Sequence, residues 1–350
     1  MKRRSLLMAA SAFTLAPDAS ALRPADIEFP RDHGAHPGFR TEWWYITGHA
    51  RSATREFGFQ VTFFRSRVEG TQAMRSRFAA KQIVFAHAAI TDVQGRKLWH
   101  DQRIAREGFD VAVTDEGDTR VRLRDWSLQR QPAGAYVSRI AAGDFAIDLQ
   151  FAPTQPILLQ GEQGLSSKGP QPENASYYYS RPQLAASGAL ALQGQRFAVT
   201  GKAWLDHEWS QEYLHREAVG WDWIGMNLDD GSALTAFRLR RPDGTALWDG
   251  GSFRAPNATP RIFNRGELVF TPQRRWTSAR SQASYPVELM VRTPGDSYVV
   301  KAIVDDQELD SRGSTGTIYW EGLSDLLDSK GTRVGRGYLE LTGYAQRLRL

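Results

Sequence analysis

Phe57-Gly-Phe-Gln-Val-Thr-Phe-Phe64 and Ile83-Val-Phe-Ala-His-Ala-Ala-Ile90 decide the fold class. Both runs are short and dense in β-branched and aromatic residues, the composition of a strand packed on a pleated surface. The pattern repeats outward along the chain in Arg120–Trp126, Asp144–Phe151, Ser232–Leu239 and Tyr298–Val304. Turn-forming strings separate these runs, among them Asp115-Glu-Gly-Asp, Leu228-Asp-Asp-Gly, Pro242-Asp-Gly and Pro294-Gly-Asp. Apart from Met74–Ala80, no long segment carries a sustained helical period, so the spacing predicts an all-β sandwich or barrel.

A chain of 350 residues exceeds one typical domain, and two are expected. We place the division at 205/206, giving residues 22–205 and 206–350. The Gly-, Ser- and Pro-rich stretch Gln160–Pro172 reads either as a linker or as a functional loop. Trp44-Tyr-Ile-Thr-Gly48 and Tyr338-Leu-Glu-Leu-Thr-Gly343 echo each other, as corresponding edge strands would.

Residues 1–21 have the form of an export signal. Lys2-Arg3-Arg4 is basic, Leu6–Ala16 is apolar, and Ala19-Ser20-Ala21 suits cleavage after Ala21. Arg3-Arg4-Ser5-Leu6-Leu7 also has a twin-arginine look, so a periplasmic or secreted location is expected. The chain has no cysteine, which excludes disulfides and a thiol nucleophile. Its formal charge is +5, and loss of the leader would leave +3. The arginines are spread among apolar residues, as in Val121-Arg-Leu-Arg124, and form no stripe that would mark a nucleic-acid-binding face.

Six of the 11 tryptophans fall in three short strings that also carry carboxylates. The strings are Glu42-Trp43-Trp44-Tyr45, Trp204-Leu-Asp206-His207-Glu208-Trp209 and Trp221-Asp222-Trp223. Aromatic walls desolvate a neighbouring carboxyl and raise its pKa, which suits it to donate a proton. In an extended chain Trp204, Asp206 and Glu208 share one face, and Leu205, His207 and Trp209 share the other. Asp222 points away from both of its tryptophans and is either a proton donor or half of an ion pair. His87, inside an apolar run, reads as a core histidine or a polar group of a cavity. Tyr178, within Tyr177-Tyr-Tyr179, belongs either to a pocket rim or to a covered sheet edge. Asp32, His33 and His36 lack the further ligands of a defined metal motif, so no metal is assigned. No Gly-x-Ser-x-Gly elbow and no phosphate loop occur, and no cofactor is assigned.

Several of these strings resemble one family. Pro37-Gly-Phe-Arg-Thr-Glu-Trp-Trp-Tyr-Ile-Thr-Gly48, Phe85-Ala-His-Ala-Ala-Ile-Thr-Asp92, Gly201-Lys-Ala-Trp-Leu-Asp-His-Glu-Trp-Ser210, Gly220-Trp-Asp-Trp-Ile-Gly225 and Tyr319-Trp-Glu-Gly322 look like the ordered blocks of AttH-like proteins. That family is related to carotenoid 1,2-hydratase. The resemblance implies two lipocalin-like antiparallel β-barrels packed together around an apolar-ligand site. It further implies addition of water to an isoprenoid carbon–carbon double bond without a cofactor, or carriage of a lipophilic cargo for an ABC transporter. A hydrolase reading lacks a nucleophile motif. His207 and Trp209 match a His-x-Trp string implicated in the hydratases, with Asp222 as the downstream acid. The expected catalytic groups are Asp206, His207, Glu208 and Asp222. Glu42, Trp43, Trp44, Tyr45, His87, Tyr178, Trp209, Trp221 and Trp223 are expected around an isoprenoid or lipid ligand.

Overall fold

The computed structural model describes residues 27–212 and 214–348, so the expected leader, residues 1–21, lies outside the described residues. The fold is all-β, and the helical elements among the described residues are two three-residue turns, Arg31–His33 and Glu69–Thr71. Met74–Ala80 is a loop of turns and not a helix.

Two antiparallel sheets divide the chain. In the first, Thr41–Arg51, Glu56–Arg67, Gln82–Asp92 and Lys97–Arg106 form a meander on one side. A second run, from Ala112–Thr114 to Ala175–Leu192, builds the other side, and the long strand Gln195–Ser210 joins the halves by pairing with Thr41–Arg51. The edge strand Lys97–Arg106 curls back beside Arg120–Leu123, so this barrel is nearly closed. The second sheet repeats the plan as a more open half-barrel. Gly220–Leu228 begins its meander, and the last strand, Arg333–Leu341, returns to pair with it. The architecture is two packed lipocalin-like barrels.

The expected division at 205/206 falls inside the strand Gln195–Ser210, and the chain passes between sheets over residues 211–219. The two echoing strings do not lie on equivalent strands. Trp44–Gly48 sits in the first strand of its sheet and Tyr338–Leu341 in the last strand of the other, and neither strand is an edge. Gln160–Pro172 is no linker between barrels, because Leu158–Leu159 and Leu165–Ser167 pair with Ala175–Leu192 of the first sheet.

Strand alternation explains how the barrels pack. Phe57, Phe59, Val61 and Phe63 fill the interior of the first barrel. Gly58, Gln60, Thr62 and Phe64 therefore face out, yet Gly58, Gln60 and Thr62 are buried as well. What covers them is the second sheet: a Cβ on Gly58 would lie 2.7 Å from Tyr338 Oη and 3.0 Å from Leu323 Cβ. The second barrel has its own core around Ile224, Leu289, Trp320 and Leu339. A third cluster, including Tyr45, Trp204, Trp223, Phe237, Leu323 and Tyr338, lies between the two sheets. The contact is reciprocal, because the first strand of each sheet meets the last strand of the other.

Candidate functional site

Between the sheets lies a cavity of about 350 Å³, at the lower end of the range for small-molecule sites. Trp43, Tyr45, Phe64, Trp221, Trp223 and Phe237 supply aromatic walls from both barrels. Besides Glu42, four carboxyls stand against those walls: Asp206 and Glu208 from the last strand of the first sheet, and Glu321 and Glu340 from the last two strands of the second.

Asp206 accepts hydrogen bonds from Tyr178 Oη (2.8 Å), Ser180 Oγ (2.5 Å) and Trp204 Nε1 (2.7 Å). Burial pushes its pKa up to about 7 despite these donors. Glu208 pairs with Lys168 at 3.1 Å and accepts a hydrogen bond from Ser176. Lys168 comes from the Gly- and Ser-rich loop, which is thus part of the site, and also stands 4.1 Å from the Phe237 ring centroid.

Glu321 and Glu340 occupy directly opposed positions on paired strands. Burial pushes Glu340 up to about 7, with the 3.0 Å hydrogen bond from Trp221 Nε1 opposing and the Asp206 and Glu208 charges adding. Burial, reinforced by Glu340, raises Glu321 well above the ordinary carboxyl range. Two carboxylates facing each other in a desolvated place cannot both ionise cheaply, so burial and Glu340 together favour the protonated form of Glu321.

Three buried polar atoms beside this pair have no partner in strict hydrogen-bond geometry among the described residues: Tyr45 Oη, Gln60 Oε1 and Glu321 Oε1. All three residues line the cavity. Gln60 Nε2 donates to the other Glu321 oxygen at 2.8 Å, which leaves Oε1 as the place for the proton. Burial first, then the Glu321 charge, raises Tyr45 well above the usual phenol range, and the Tyr45 hydroxyl and Glu321 are near enough to interact although they fall short of strict hydrogen-bond geometry. His87 also reaches the cavity, bonding Tyr319 Oη and Ser314 Oγ at 2.8 Å each, and burial lowers its pKa to about 3.

Of the expected catalytic groups, Asp206 and Glu208 line the cavity, and His207 and Asp222 do not. His207 faces the first barrel's interior, where Nε2 meets Glu42 at 2.9 Å and Nδ1 meets Tyr179 Oη at 3.1 Å. Trp44 stacks on His207 at 4.8 Å and Trp209 on His36 at 3.8 Å, so these two tryptophans pack in that same interior, away from the ligand space. Asp222 forms ion pairs with two arginines. Arg238 Nε at 2.6 Å, Arg240 Nε at 2.8 Å and Tyr344 Oη at 2.9 Å all donate to it inside the second barrel. Glu42 touches the cavity wall, but its carboxylate is held by Arg65 (2.8 Å), His36 (2.7 Å) and His207. Burial opposes ionisation there, and the two histidine hydrogen bonds outweigh it and keep Glu42 below the usual range.

His36, Glu42 and His207 bring ligand-type atoms within 4.8 Å of one another. Each of those atoms is already hydrogen-bonded to a protein group. Trp43, Tyr45, His87, Tyr178, Trp221 and Trp223 line the cavity. Glu321, Glu340, Gln60 and Lys168 escaped the sequence reading. The one signal for Glu321 was its place in the aromatic string Tyr319-Trp-Glu-Gly322.

Comparison with known proteins agrees with this architecture. A search of curated proteins finds no match. An AttH protein from Nitrosomonas europaea is 47% identical, with a TM-score of 0.87 over 93% of this chain and 99% of that one. Kievitone hydratase from Nectria haematococca shares the fold at 14% identity and a TM-score of 0.71, covering 92% of this chain and 94% of its own. CghA, solved with Sch210972, shares it at 15% identity and a TM-score of 0.51, over 87% and 88% of the two chains. The AttH-like family profile matches residues 20–344, and the chain belongs to that family.

Proposed function

We propose that the cavity between the barrels binds an apolar ligand carrying a carbon–carbon double bond and adds water to it by acid–base chemistry. The observation that carries this reading is Glu321: a buried carboxyl whose surroundings favour its protonated form, with Oε1 next to Tyr45 on an aromatic-walled cavity. A chain of the same fold is named a hydratase, which agrees with it.

In this reaction the alkene π electrons take the Glu321 proton and leave a tertiary carbocation and a Glu321 carboxylate. The walls of Trp43, Trp221 and Trp223 stabilise the cation by cation–π attraction. A water oxygen forms the new C–O bond, and ionised Asp206, whose pKa of about 7 leaves it partly deprotonated at neutrality, accepts the proton that water gives up. Glu340, electrostatically linked to both groups, stands between them in the return of that proton to Glu321. Proton donation of this kind contributes on the order of 100- to 10,000-fold in rate. The export signal read at residues 1–21 supports a reaction in the periplasm or outside the cell.

The test is extraction of the ligand that co-purifies with the protein and its incubation with fresh protein, followed by mass spectrometry. Wild type should convert it to a species heavier by one water. Glu321→Gln should slow conversion by roughly 100-fold or more while still holding the ligand. A ligand that returns unchanged from the wild type would overturn the lyase reading and leave carriage, with an ABC transporter as partner.

A further inference from the structure

Seven large apolar side chains are exposed among the described residues, and five of them belong to adjoining segments of the first barrel: Met74, Phe78, Ile104, Phe109 and Val111. The loop carrying Met74 and Phe78 meets the turn after the edge strand Lys97–Arg106. Phe78 and Phe109 stack at 5.5 Å, and Arg106 caps both rings, 4.0 Å from the Phe109 centroid and 5.8 Å from Phe78. Arg106 Nη1 also donates to the Phe78 carbonyl at 2.7 Å, which ties the loop to the strand. The turn holds Phe109 at φ 56° and Asp110 at φ 58°, left-handed backbone that a bulky aromatic rarely adopts. An aromatic ring is thus held outward on strained backbone, a pattern concentrated at functional surfaces.

The charges around these rings are one-sided. Arg75, Arg77 and Lys81 are exposed, and among the described residues neither they nor Arg106 form an ion pair. The nearby carboxylates are engaged: Glu69 with Arg67, Asp110 with Arg122, and Glu107 with Thr114. Exposed aromatics ringed by unpaired cations match the boundary between lipid headgroups and acyl chains. The patch also leads to the ligand. Ile104 lines the cavity as well as the patch, and its strand neighbour Phe85 lines the cavity beside it.

We propose that this patch docks the protein on an anionic lipid surface, with Phe78 and Phe109 entering the headgroup layer. Docking sets the Ile104 side of the cavity against the bilayer, so that an apolar ligand passes between lipid and protein without crossing water. A second copy of the chain is a poorer occupant, because a self-complementary contact would set the same unpaired cations against each other.

The experiment is co-sedimentation of the purified full chain with vesicles of phosphatidylcholine plus phosphatidylglycerol, and with vesicles of phosphatidylcholine alone. Wild type should pellet with the anionic vesicles and release as salt is raised. Each basic residue near such a surface contributes about a factor of five, so Arg75→Glu/Arg77→Glu should weaken partition by roughly 25-fold or more. Phe78→Ser/Phe109→Asn should lose binding while keeping the wild-type melting curve, asparagine being suited to the left-handed position. Glu321→Gln should bind vesicles like wild type, which separates this proposal from the proposed reaction. Failure of the wild type to bind, or indifference to both double substitutions, would overturn the membrane reading. So would sedimentation as a dimer that Phe78→Ser/Phe109→Asn dissociates.

Discussion

Asp206 shows most clearly what a single buried carboxyl does to the whole chain. Its folded pKa of about 7 lies above the unfolded value of 3.8, so between those values the fold keeps a proton that the unfolded chain releases. Stability therefore falls as pH rises from about 4 to about 7 and levels off beyond. The shift spans roughly three pH units at about 1.4 kcal/mol each, which bounds the loss near about 4 kcal/mol. Glu340, also raised to about 7, adds a slope of the same sign. Urea unfolding at about pH 5 and about pH 8 should show wild type less stable at the higher pH, with Asp206→Asn removing much of that difference. A difference left intact in Asp206→Asn would show that Asp206 does not titrate as a buried acid. Hydration itself should rise with pH over the same window, as Asp206 becomes able to accept a proton.

Strands decide which of these residues can meet. Parity along Trp204–Trp209 is readable from the sequence, and the structure divides the string as parity requires: Asp206 and Glu208 on the cavity, Leu205, His207 and Trp209 in the first barrel. Parity does not say which face a ligand occupies. His207 looked catalytic beside two carboxylates, yet its face is an interior filled by Trp44 and Tyr179. Glu321 and Glu340 lay hidden for another reason, since they are opposed only once Ile318–Leu327 pairs with Arg333–Leu341. Asp222 was ambiguous because Arg238 and Arg240 reach it from the neighbouring strand, a register that no local pattern reveals. The glycine in the opening run has its own reason, because at Gly58 the second sheet leaves no room for a side chain. Gly58→Leu would press on Tyr338 and Leu323 and should cost about 1–3 kcal/mol. It should also weaken ligand retention without altering any cavity-lining group. Unchanged melting and retention in Gly58→Leu would mean that the sheets tolerate a wider gap.

The whole molecule behaves as one body if the space between the barrels is as much a core as their interiors. Tyr45, Trp204, Trp223, Leu323 and Tyr338 are buried there together, and none would stay covered if either barrel left. Polar groups are committed across the same boundary: Gln183 N donates to Asn227 Oδ1 at 2.7 Å, Asn227 Nδ2 to Ala203 O at 3.0 Å, and Thr91 Oγ1 to Gln307 Oε1 at 2.8 Å. Separation would expose apolar area worth about 25 cal/mol per Å² and strand these partners, so a state with one barrel folded is penalised twice. Chains of this length commonly unfold in steps, domain by domain. Here the reciprocal contact of first and last strands should instead couple the barrels into one transition. Far-UV circular dichroism reports all strands, and near-UV dichroism is weighted to tryptophans such as Trp204 and Trp223 between the sheets. The two signals should melt together, with calorimetric and van't Hoff enthalpies in agreement. An early near-UV transition with the strands intact would place the weakest plane of the molecule at the cavity and make separation of the barrels the route by which ligand enters.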